Sequence, residues 1–452
     1  MTGKRLTLVR AVATQVLGEY THEITFPAED DFMIVYGPNG VGKTKFLEII
    51  RALSQIDGGT LQALPFDTAA LYYSDGTILQ VRGIDLPMVA VNGKWISRRL
   101  QFVIEKADEE PATWDFEEDE FESYLDAHTT WRRYDEAGLW EDAQDGELVH
   151  ISELKDRFAD VDRRQSRSES GRPLPELFRR LRAATPTYLI ETQRLRTASV
   201  QTNRFATPRH PARRRVDSKI VQYGARMQGL LASAQTAHST ITQQLDRDFP
   251  LRVLSGVSVV PHVDDVRRRY EEQNDFRSRL GRVASVDLSD ELELPDRPLE
   301  EWELRLLNLY LDDAQKKLAP FAALLRKVEL LEEVVNSRLL RKRLAITAKD
   351  GLSVQHQSDD RPISLDSLSS GEQHEIILMF DLLFNVPAGA LVMIDEPEIS
   401  LHVVWQLAFI PDVQRIAELA DFRFIVATHS PQIINDDWDR ATALGPEEVP
   451  FA

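Results

Sequence analysis

The stretch Leu365–His402, which reads LDSLSSGEQHEIILMFDLLFNVPAGALVMIDEPEISLH, decides the fold. It opens with a polar Ser-Ser-Gly segment, and apolar residues then recur at helical spacing as far as Phe384, which predicts a helix. After a Pro-Ala-Gly turn, the wholly apolar segment Leu391–Ile394 is typical of a parallel strand that is buried on both faces. That strand ends in two adjacent carboxylates, Asp395 and Glu396. Because ligands of α/β folds bind at the carboxyl ends of the strands, this pair is predicted to bind magnesium and to activate water.

A phosphate-binding motif lies near the other end of the chain. It consists of eight consecutive residues that match the pattern G-x-x-x-x-G-K-[ST] in full: Gly37, Pro38, Asn39, Gly40, Val41, Gly42, Lys43 and Thr44. The motif follows the apolar segment Phe32–Tyr36 and opens a predicted helix at Lys45–Leu53, which is the strand-loop-helix context that it requires. Its backbone N–H groups and the helix N-terminus attract phosphate. We therefore expect Lys43 to bridge the terminal phosphates and Thr44 to ligate Mg²⁺.

The composition is that of a soluble globular protein. The chain has 452 residues, of which 42% are hydrophobic and 28% are charged, and this length suffices for two or three compact units. It contains no run of eighteen apolar residues and no signal-type apolar core at the N-terminus, so we expect a cytoplasmic protein without membrane contact. Because the sequence has no cysteine, it excludes a disulfide framework, a thiolate metal site and a thiol nucleophile.

Charge is segregated along the chain. The net charge of -19 argues against a protein that coats nucleic acid indiscriminately, because phosphate binding depends on Lys and Arg. The acidic region 105–149 is interpreted either as a solvated, partly helical insertion or as a docking surface for a basic partner. The Arg-rich stretches 163–182 and 204–215 are candidates for DNA or RNA contact, and pairing with the acidic region is the alternative.

The remaining segments predict several hairpins and two helical regions. Residues 5–36 read as two strands, and Asp75-Gly76 and Asn92-Gly93 are hairpin turns of a small antiparallel sheet. A further hairpin turns at Asp350-Gly351. Helices are predicted at 217–247 and at 300–344, the second interrupted at Pro320. The apolar faces of these helices are expected to pack in the core. The alternative is that they bind a partner helix in a coiled coil.

Two further strand ends carry polar candidates. Residues 186–190 read as a strand, and Gln193 just beyond it could reach magnesium and the attacking water; an ordinary strand-end amide is the alternative. Phe422–Thr428 reads as another apolar strand, which is followed by His429. A lone histidine is more often structural, but its position one strand after Asp395 favours contact with the γ-phosphate or with water.

The phosphate loop, the LSSGEQ run, the IDEPEISLH run and the ATHS strand end together resemble ABC-type ATPase heads of the SMC, RecF and OLD class. The sequence SLSSGEQHEI followed by IDEPEISLHVVWQ is particularly similar to the corresponding motifs of compact AAA-type ATPases. These ATPases belong to bacterial phage-defence systems of the OLD, Septu and PARIS types. The resemblance implies an α/β P-loop ABC-ATPase head. Such a head has a mixed β-sheet core with flanking helices, an antiparallel β-subdomain and an inserted α-helical domain.

The resemblance also implies a division of the chain and a role for each motif residue. The expected segments are an N-terminal head lobe at 1–104, an acidic and basic insertion at 105–185, the Q-loop strand at 186–196, a helical insertion at 197–345 and a C-terminal head lobe at 346–452. The implied roles are those of an ATP-contacting signature for Ser369, Ser370, Gly371 and Glu372, a magnesium ligand for Asp395, a catalytic base for Glu396, a switch histidine for His429 and a Q-loop residue for Gln193. The signature departs from the usual pattern, because Ser370 replaces a glycine and Glu372 replaces a glutamine.

For function, the resemblance implies ATP and Mg²⁺ as cofactors and an ATP-dependent homo-oligomer. The signature of one copy would close on the γ-phosphate that the phosphate loop of another copy holds. The favoured hypothesis is a switch that controls a trans-acting effector such as a nuclease in anti-phage defence, because the sequence shows no second catalytic cluster. The alternatives are a RecF-like or SMC-like repair ATPase that binds DNA directly and, less favoured, the ATPase subunit of a transporter.

Overall fold

In the computed structural model the chain forms two compact units. The structure describes residues 5–26, 31–91, 94–107, 109–116, 125, 129–134, 139–143, 148–150, 154, 157–158, 174–191, 218–255, 260–284 and 294–445. The first unit consists of 1–190, 387–396 and 422–452, and the second consists of 191–386 and 397–421. The predicted C-terminal lobe therefore contributes segments to both units.

The strands of the described residues form four sheets. In chain order they are β1 (Leu8–Val16), β2 (Tyr20–Thr25), β3 (Phe32–Tyr36), β4 (Thr68–Tyr73), β5 (Ile78–Val91), β6 (Lys94–Glu105), β7 (Ala112–Phe116), β8 (Trp131–Arg133), β9 (Leu139–Asp142), β10 (Leu148–His150), β11 (Thr187–Glu191), β12 (Lys342–Thr347), β13 (Gly351–His356), β14 (Pro362–Ile363), β15 (Leu391–Asp395), β16 (Arg423–Thr428) and β17 (Ala441–Ala443). The sheet orders are β2-β1-β4-β5-β6-β7, β10-β9-β8, β11-β15-β16-β3-β17 and β12-β13-β14.

The helices vary widely in length. In chain order they are α1 (Lys43–Ser54), α2 (Gly58–Ala63), α3 (Glu176–Ala184), α4 (Lys219–Leu254), α5 (Val263–Val283), α6 (Glu301–Asn336), α7 (Ser370–Phe380), α8 (Val403–Leu407), α9 (Phe409–Ala420) and α10 (Pro431–Ile434). A π-helical turn, Asp381–Asn385, continues α7. Within the described part of the chain, no helix is both long and apolar enough to span a membrane.

The core of the first unit is the sheet that the sequence predicts from its apolar segments. Strands β15, β16 and β3 run parallel and adjacent, and their side chains are almost entirely buried. The register places Asp395 beside Ala427, and Thr428 beside Tyr36. The carboxyl ends of the three strands therefore meet at one edge, which confirms the predicted P-loop ATPase fold.

The antiparallel sheet is larger than the hairpin patterns predict. The turn at Asp75-Gly76 joins β4 and β5 as expected, whereas Asn92 and Gly93 lie outside the described residues although β5 and β6 pair. Residues 5–36 form three strands rather than two, because the stretch 23–36, which reads as one strand, is divided between β2, which ends at Thr25, and β3, which begins at Phe32. The chain turns from β1 into β2 through Leu17 and Gly18, whose φ angles of 58° and 79° lie in the left-handed region.

Most described residues of the acidic region lie in β-strands, and Leu125 lies in a helix. Strand β7 joins the six-stranded sheet, and β8, β9 and β10 form a small sheet of their own. Trp131 and Trp140 are buried there with Leu125, Val149 and Leu154. The strands agree with the preference of aromatic residues for a half-buried sheet, whereas the partly helical character of the insertion stays a prediction.

The interruption predicted at Pro320 does not occur. Helix α6 runs through this proline and ends at Asn336, and the segment predicted to be helical as far as 344 already enters β12. A proline removes one backbone hydrogen bond, but Leu318, Phe321 and Leu325 are buried on both sides of it. The continuous packing of this apolar face of α6 therefore outweighs the free-energy cost of the missing hydrogen bond.

A buried ion cluster connects three elements of the second unit. Arg338, just beyond α6, donates to Oε1 of Glu375 on α7 at 2.6 Å and contacts the carboxylate of Asp412 on α9. The side chains of Arg338 and Glu375 are 7% and 2% exposed. Burial raises the pKa of Glu375, while the charge of Arg338 opposes that shift. One guanidinium therefore stabilises two carboxyl groups away from water.

We expect Arg338→Met to destabilise the protein by about 3–5 kcal/mol, because it leaves two buried carboxyl groups without a cation. Urea unfolding at pH 7 measures the loss. A carboxyl group whose pKa is raised in the folded state takes up a proton on folding, so the variant should regain stability as the pH falls. Arg415→Met, which breaks an exposed pair with Glu333, is the control and should be nearly neutral. Equal stability of Arg338→Met and the parent would contradict the assignment.

Candidate functional site

The phosphate loop joins β3 to α1, and three of its glycines are required by the backbone. Gly40 and Gly42 have φ angles of 88° and 91°, which L-residues rarely adopt. A Cβ atom on Gly37 would lie 2.2 Å from the carbonyl oxygen of Leu444. The glycine pattern of the sequence is therefore explained partly by conformation and partly by a close approach of the chain just after β17.

Lys43 is buried inside the loop. It is the first residue of α1, and only 5% of it is exposed. Its Nζ donates to the carbonyl oxygens of Gly37 at 3.1 Å and Pro38 at 3.4 Å, and it contacts the imidazole ring of His429. The ammonium group therefore lies where the loop surrounds it, as expected of a cation that binds phosphate.

Thr44 and Asp395 form an oxygen pair beside the loop. The hydroxyl group of Thr44 donates to Oδ2 of Asp395 at 2.8 Å. Mg²⁺ prefers oxygen ligands and usually takes only one or two carboxylates from a protein, with phosphates and water completing its shell. Within the described residues no group of three or more His, Asp or Glu side chains could hold a metal by itself. The donor set at Thr44 and Asp395 therefore fits a magnesium ion that accompanies a phosphate ligand.

Glu396 has a strained backbone. Its φ is 48°, in the left-handed region, which is uncommon for a residue other than glycine and costs on the order of 1–3 kcal/mol. Its N–H donates to the carbonyl of Ala427 on the neighbouring β16 at 2.8 Å. Its Oε1 lies 3.1 Å from Nε2 of His429. The turn after β15 therefore brings the second carboxylate to the histidine at the end of the adjacent strand.

Five residues predicted from sequence are thus brought together at one edge of the sheet. They are Lys43, Thr44, Asp395, Glu396 and His429, and all belong to the first unit. Two short chains of contacts connect them: Thr44 to Asp395, and Glu396 through His429 to Lys43. The arrangement combines a buried cation, a hydroxyl group, two carboxylates and an imidazole, which are chemical groups that phosphoryl transfer to water can use.

The signature segment begins α7 in the second unit. Ser369 is the N-cap, and its Oγ accepts from the N–H of Glu372 at 3.3 Å while Glu372 accepts from the N–H of Ser369 at 2.8 Å. Lys342 donates to both carboxylate oxygens of Glu372. Burial alone would raise the pKa of Glu372, but these hydrogen bonds outweigh it and lower the pKa. The glutamate in place of the usual glutamine therefore completes a capping box.

The two remaining signature residues lie in the first turn of α7. Ser370 is exposed and Gly371 is half-buried. Gln193 and the Arg-rich stretch 204–215 lie outside the described residues.

Two contacts of the phosphate loop were not predicted from the sequence. Leu444 approaches Gly37, and Nε2 of His22 on β2 lies 2.7 Å from the carbonyl oxygen of Val41. The alternation of β2 gives a weak signal for the second contact, because His22 and Ile24 point inward between exposed neighbours. No local pattern indicates which element such an inward histidine touches.

Part of the sequence is similar to a known protein family. Residues 240–435 match the family model described as "AAA domain, putative AbiEii toxin, Type IV TA system". The match covers less than half of the chain and includes Asp395, Glu396 and His429, so this part of the sequence is similar to an AAA domain. No curated protein matches the sequence.

Solved structures that are similar over most of the chain include two SMC head domains. One is the Smc head domain of Pyrococcus furiosus with an extended coiled coil, bound to the C-terminal domain of ScpA, at 11% identity, a TM-score of 0.36 and coverage of 95% of this chain and 91% of that chain. The other is the SMC head domain of Thermotoga maritima, at 12% identity, a TM-score of 0.31 and coverage of 98% and 99%.

We expect Gly37→Ala to lower the thermal unfolding temperature more than Gly40→Ala. The new Cβ at position 37 would collide with a backbone carbonyl, whereas at position 40 it meets no atom within 4 Å and adds only backbone strain of about 1–2 kcal/mol. Calorimetry without nucleotide measures both variants. Equal losses would show that Leu444 does not pack on the loop.

Proposed function

We propose that this protein is an ATPase that binds ATP with Mg²⁺ and transfers the γ-phosphoryl group to water. The observation that carries the proposal is the meeting of the phosphate loop, the Asp395–Glu396 pair and His429 at the edge of one parallel sheet. The match of residues 240–435 to an AAA domain supports the same conclusion. If the lysine, the two carboxylates and the histidine each had only a structural role, we would not expect them to lie together at a ligand-binding edge of the sheet.

Binding would rest on the loop and on α1. The backbone N–H groups around Gly40 and Gly42 and the N-terminus of α1 attract the phosphates, and Lys43 would exchange its contacts with the loop carbonyls for contacts with phosphate oxygens. Thr44 and Asp395 would hold the magnesium ion, which when bound neutralises charge on the phosphate oxygens. Since Lys43 is already buried, little side-chain entropy would be lost on binding.

Glu396 would act as the base that receives the proton of the attacking water. The strained backbone and the contact with His429 both hold its carboxylate in one place, and catalysis of phosphoryl transfer rests largely on such positioning. His429 would orient Glu396 and contact the γ-phosphate. This side chain is suited to both tasks because it lies between Glu396 and Lys43.

We further propose that ATP joins two copies of the chain head to tail. The signature helix α7 has eleven residues, and Ser369 and Ser370 at its N-terminus are exposed. In the proposed assembly, this N-terminus meets the γ-phosphate that the other copy holds, so that ATP stabilises the pair and hydrolysis releases it. The carboxylate of Glu372 would oppose an incoming phosphate, and its pairing with Lys342 reduces that repulsion.

The ATP-dependent pair would serve as a switch for an effector protein encoded nearby, in anti-phage defence. The matched family description names a toxin–antitoxin system, which is a system of two components, and this supports the search for a partner. Purification of the tagged chain with its genomic neighbours, with and without ATP, tests the idea. If the chain alone, without any neighbour, reproduces the cellular activity, the effector proposal is wrong.

The alternative function is that of a repair ATPase that binds DNA directly. The positive charge of residues 163–219, which contain fifteen Lys or Arg and four Asp or Glu, favours it. Replacement of Arg213, Arg214 and Arg215 by glutamate would then abolish salt-sensitive binding to DNA. Unchanged binding would remove this alternative.

Turnover should separate the roles of Lys43 and Glu396. We expect Lys43→Ala to lose ATP binding, because the buried cation is removed, and Glu396→Gln to bind ATP but hydrolyse it at least 100-fold more slowly. Calorimetric titration and a phosphate-release assay measure the two steps. Turnover of Glu396→Gln at the parent rate would exclude Glu396 as the base.

Self-association of the chain should also depend on whether the γ-phosphate is cleaved. We expect Glu396→Gln with ATP and Mg²⁺ to sediment as a dimer or larger assembly, because the γ-phosphate that joins the copies persists. The double variant Glu396→Gln with Ser370→Glu should remain a single chain, since a second carboxylate at the N-terminus of α7 repels phosphate. A nucleotide-loaded Glu396→Gln sample that sediments as one chain would contradict the head-to-tail proposal.

A further inference from the structure

A buried histidine on β2 makes direct contact with the phosphate loop. His22 is 1% exposed, and its Nε2 lies 2.7 Å from the carbonyl oxygen of Val41. A carbonyl oxygen only accepts hydrogen bonds, so the ring must carry a proton on Nε2 and donate it. The rings of Tyr20 and Phe46 lie 5.9 Å and 5.4 Å from that of His22 and confine it.

The other nitrogen of the ring indicates its charge. Nδ1 of His22 is buried and has no hydrogen-bond partner within the described residues. A proton there would leave a buried positive charge without compensation, which is costly. Burial also lowers the pKa of His22, although the bond to Val41 opposes the shift. The ring is therefore neutral, with its single proton directed at the loop.

The hydrogen bond from His22 constrains the whole peptide unit between Val41 and Gly42, and not only the carbonyl group of Val41. The C=O of Val41 and the N–H of Gly42 belong to the same planar trans peptide unit, in which they point in opposite directions. A donor that holds the carbonyl therefore also fixes the direction of the N–H. Gly42, with φ at 91°, could otherwise rotate over a wide range, because glycine has few steric restrictions.

We propose that His22 is a positioning residue of the ATP site, which directs the N–H of Gly42 towards the phosphates by holding the carbonyl of Val41. The inference rests on the ATP binding proposed above. The N–H of Gly42 would contact the phosphates of the nucleotide and not its base or sugar. The loss of His22 should therefore weaken the binding of ATP and ADP by similar factors.

The turn of the same hairpin gives independent support. A Cβ atom on Gly42 would lie 3.0 Å from Cγ1 of Val16 and 3.3 Å from Cδ1 of Leu17. The β1–β2 hairpin therefore touches two successive residues of the loop, with a hydrogen bond at Val41 and apolar contact at Gly42. The hairpin restrains this half of the loop from one side.

The test compares a substitution that removes the donor with one that retains it. We expect His22→Leu to raise the dissociation constant and the KM for ATP about tenfold and the dissociation constant for ADP equally, with a smaller change in kcat. His22→Gln, whose amide can still donate, should bind within about threefold of the parent. Ile24→Val, a buried change on the same strand, is the control and should bind as the parent does. Thermal unfolding measures whether each variant is folded.

Each outcome decides the inference. If folded His22→Leu binds ATP as tightly as the parent, or if His22→Gln loses as much affinity as His22→Leu, the inference is wrong and the proposed ATPase is unaffected. If the parent binds no ATP, the proposed function fails and the inference with it. If His22→Leu does not fold, NMR of the parent with ¹⁵N-labelled histidine decides, with His22 recognised by its ring contacts to Phe46: a proton on Nε2 supports the inference, and a proton on Nδ1 overturns it.

Discussion

The parallel register of β15, β16 and β3 is the constraint on which the first unit depends. Each strand is short and almost entirely buried, and each delivers a polar group to the same edge: Asp395 and Glu396, His429, and the phosphate loop. A shift of one residue in either pairing would exchange the faces of a strand and separate these groups. Burial of the apolar strands and assembly of the site are therefore one event rather than two.

Charge at this edge is arranged so that no single group is isolated. Lys43 is surrounded by the carbonyls of Gly37 and Pro38, Asp395 accepts from Thr44, and Glu396 and His429 lie in contact. In a partly buried setting such contacts offset the loss of hydration that burial imposes. They also keep each side chain in a defined position, which supports a site that works by electrostatics and placement.

The sequence was sufficient for the features that depend on local patterns. The loop, the apolar strands and the carboxylate pair have spacings that few alternatives satisfy, and the structure places them together. Features that depend on tertiary packing were not predictable. Helix α6 passes through Pro320 because packing outweighs propensity, aromatic residues of the acidic region form sheet, and His22 contacts a loop that only the fold brings near.

The order of strands in the parallel sheet has a consequence for synthesis on the ribosome. Strand β3 emerges early, yet its neighbours β16 and β17 lie at 423–428 and 441–443. At about 5–20 residues per second, the apolar strand waits on the order of a minute for its partners to be translated. During that interval the nascent chain exposes an unpaired β-edge next to the phosphate loop. A chaperone that binds early apolar segments would cover this strand until its partners are translated.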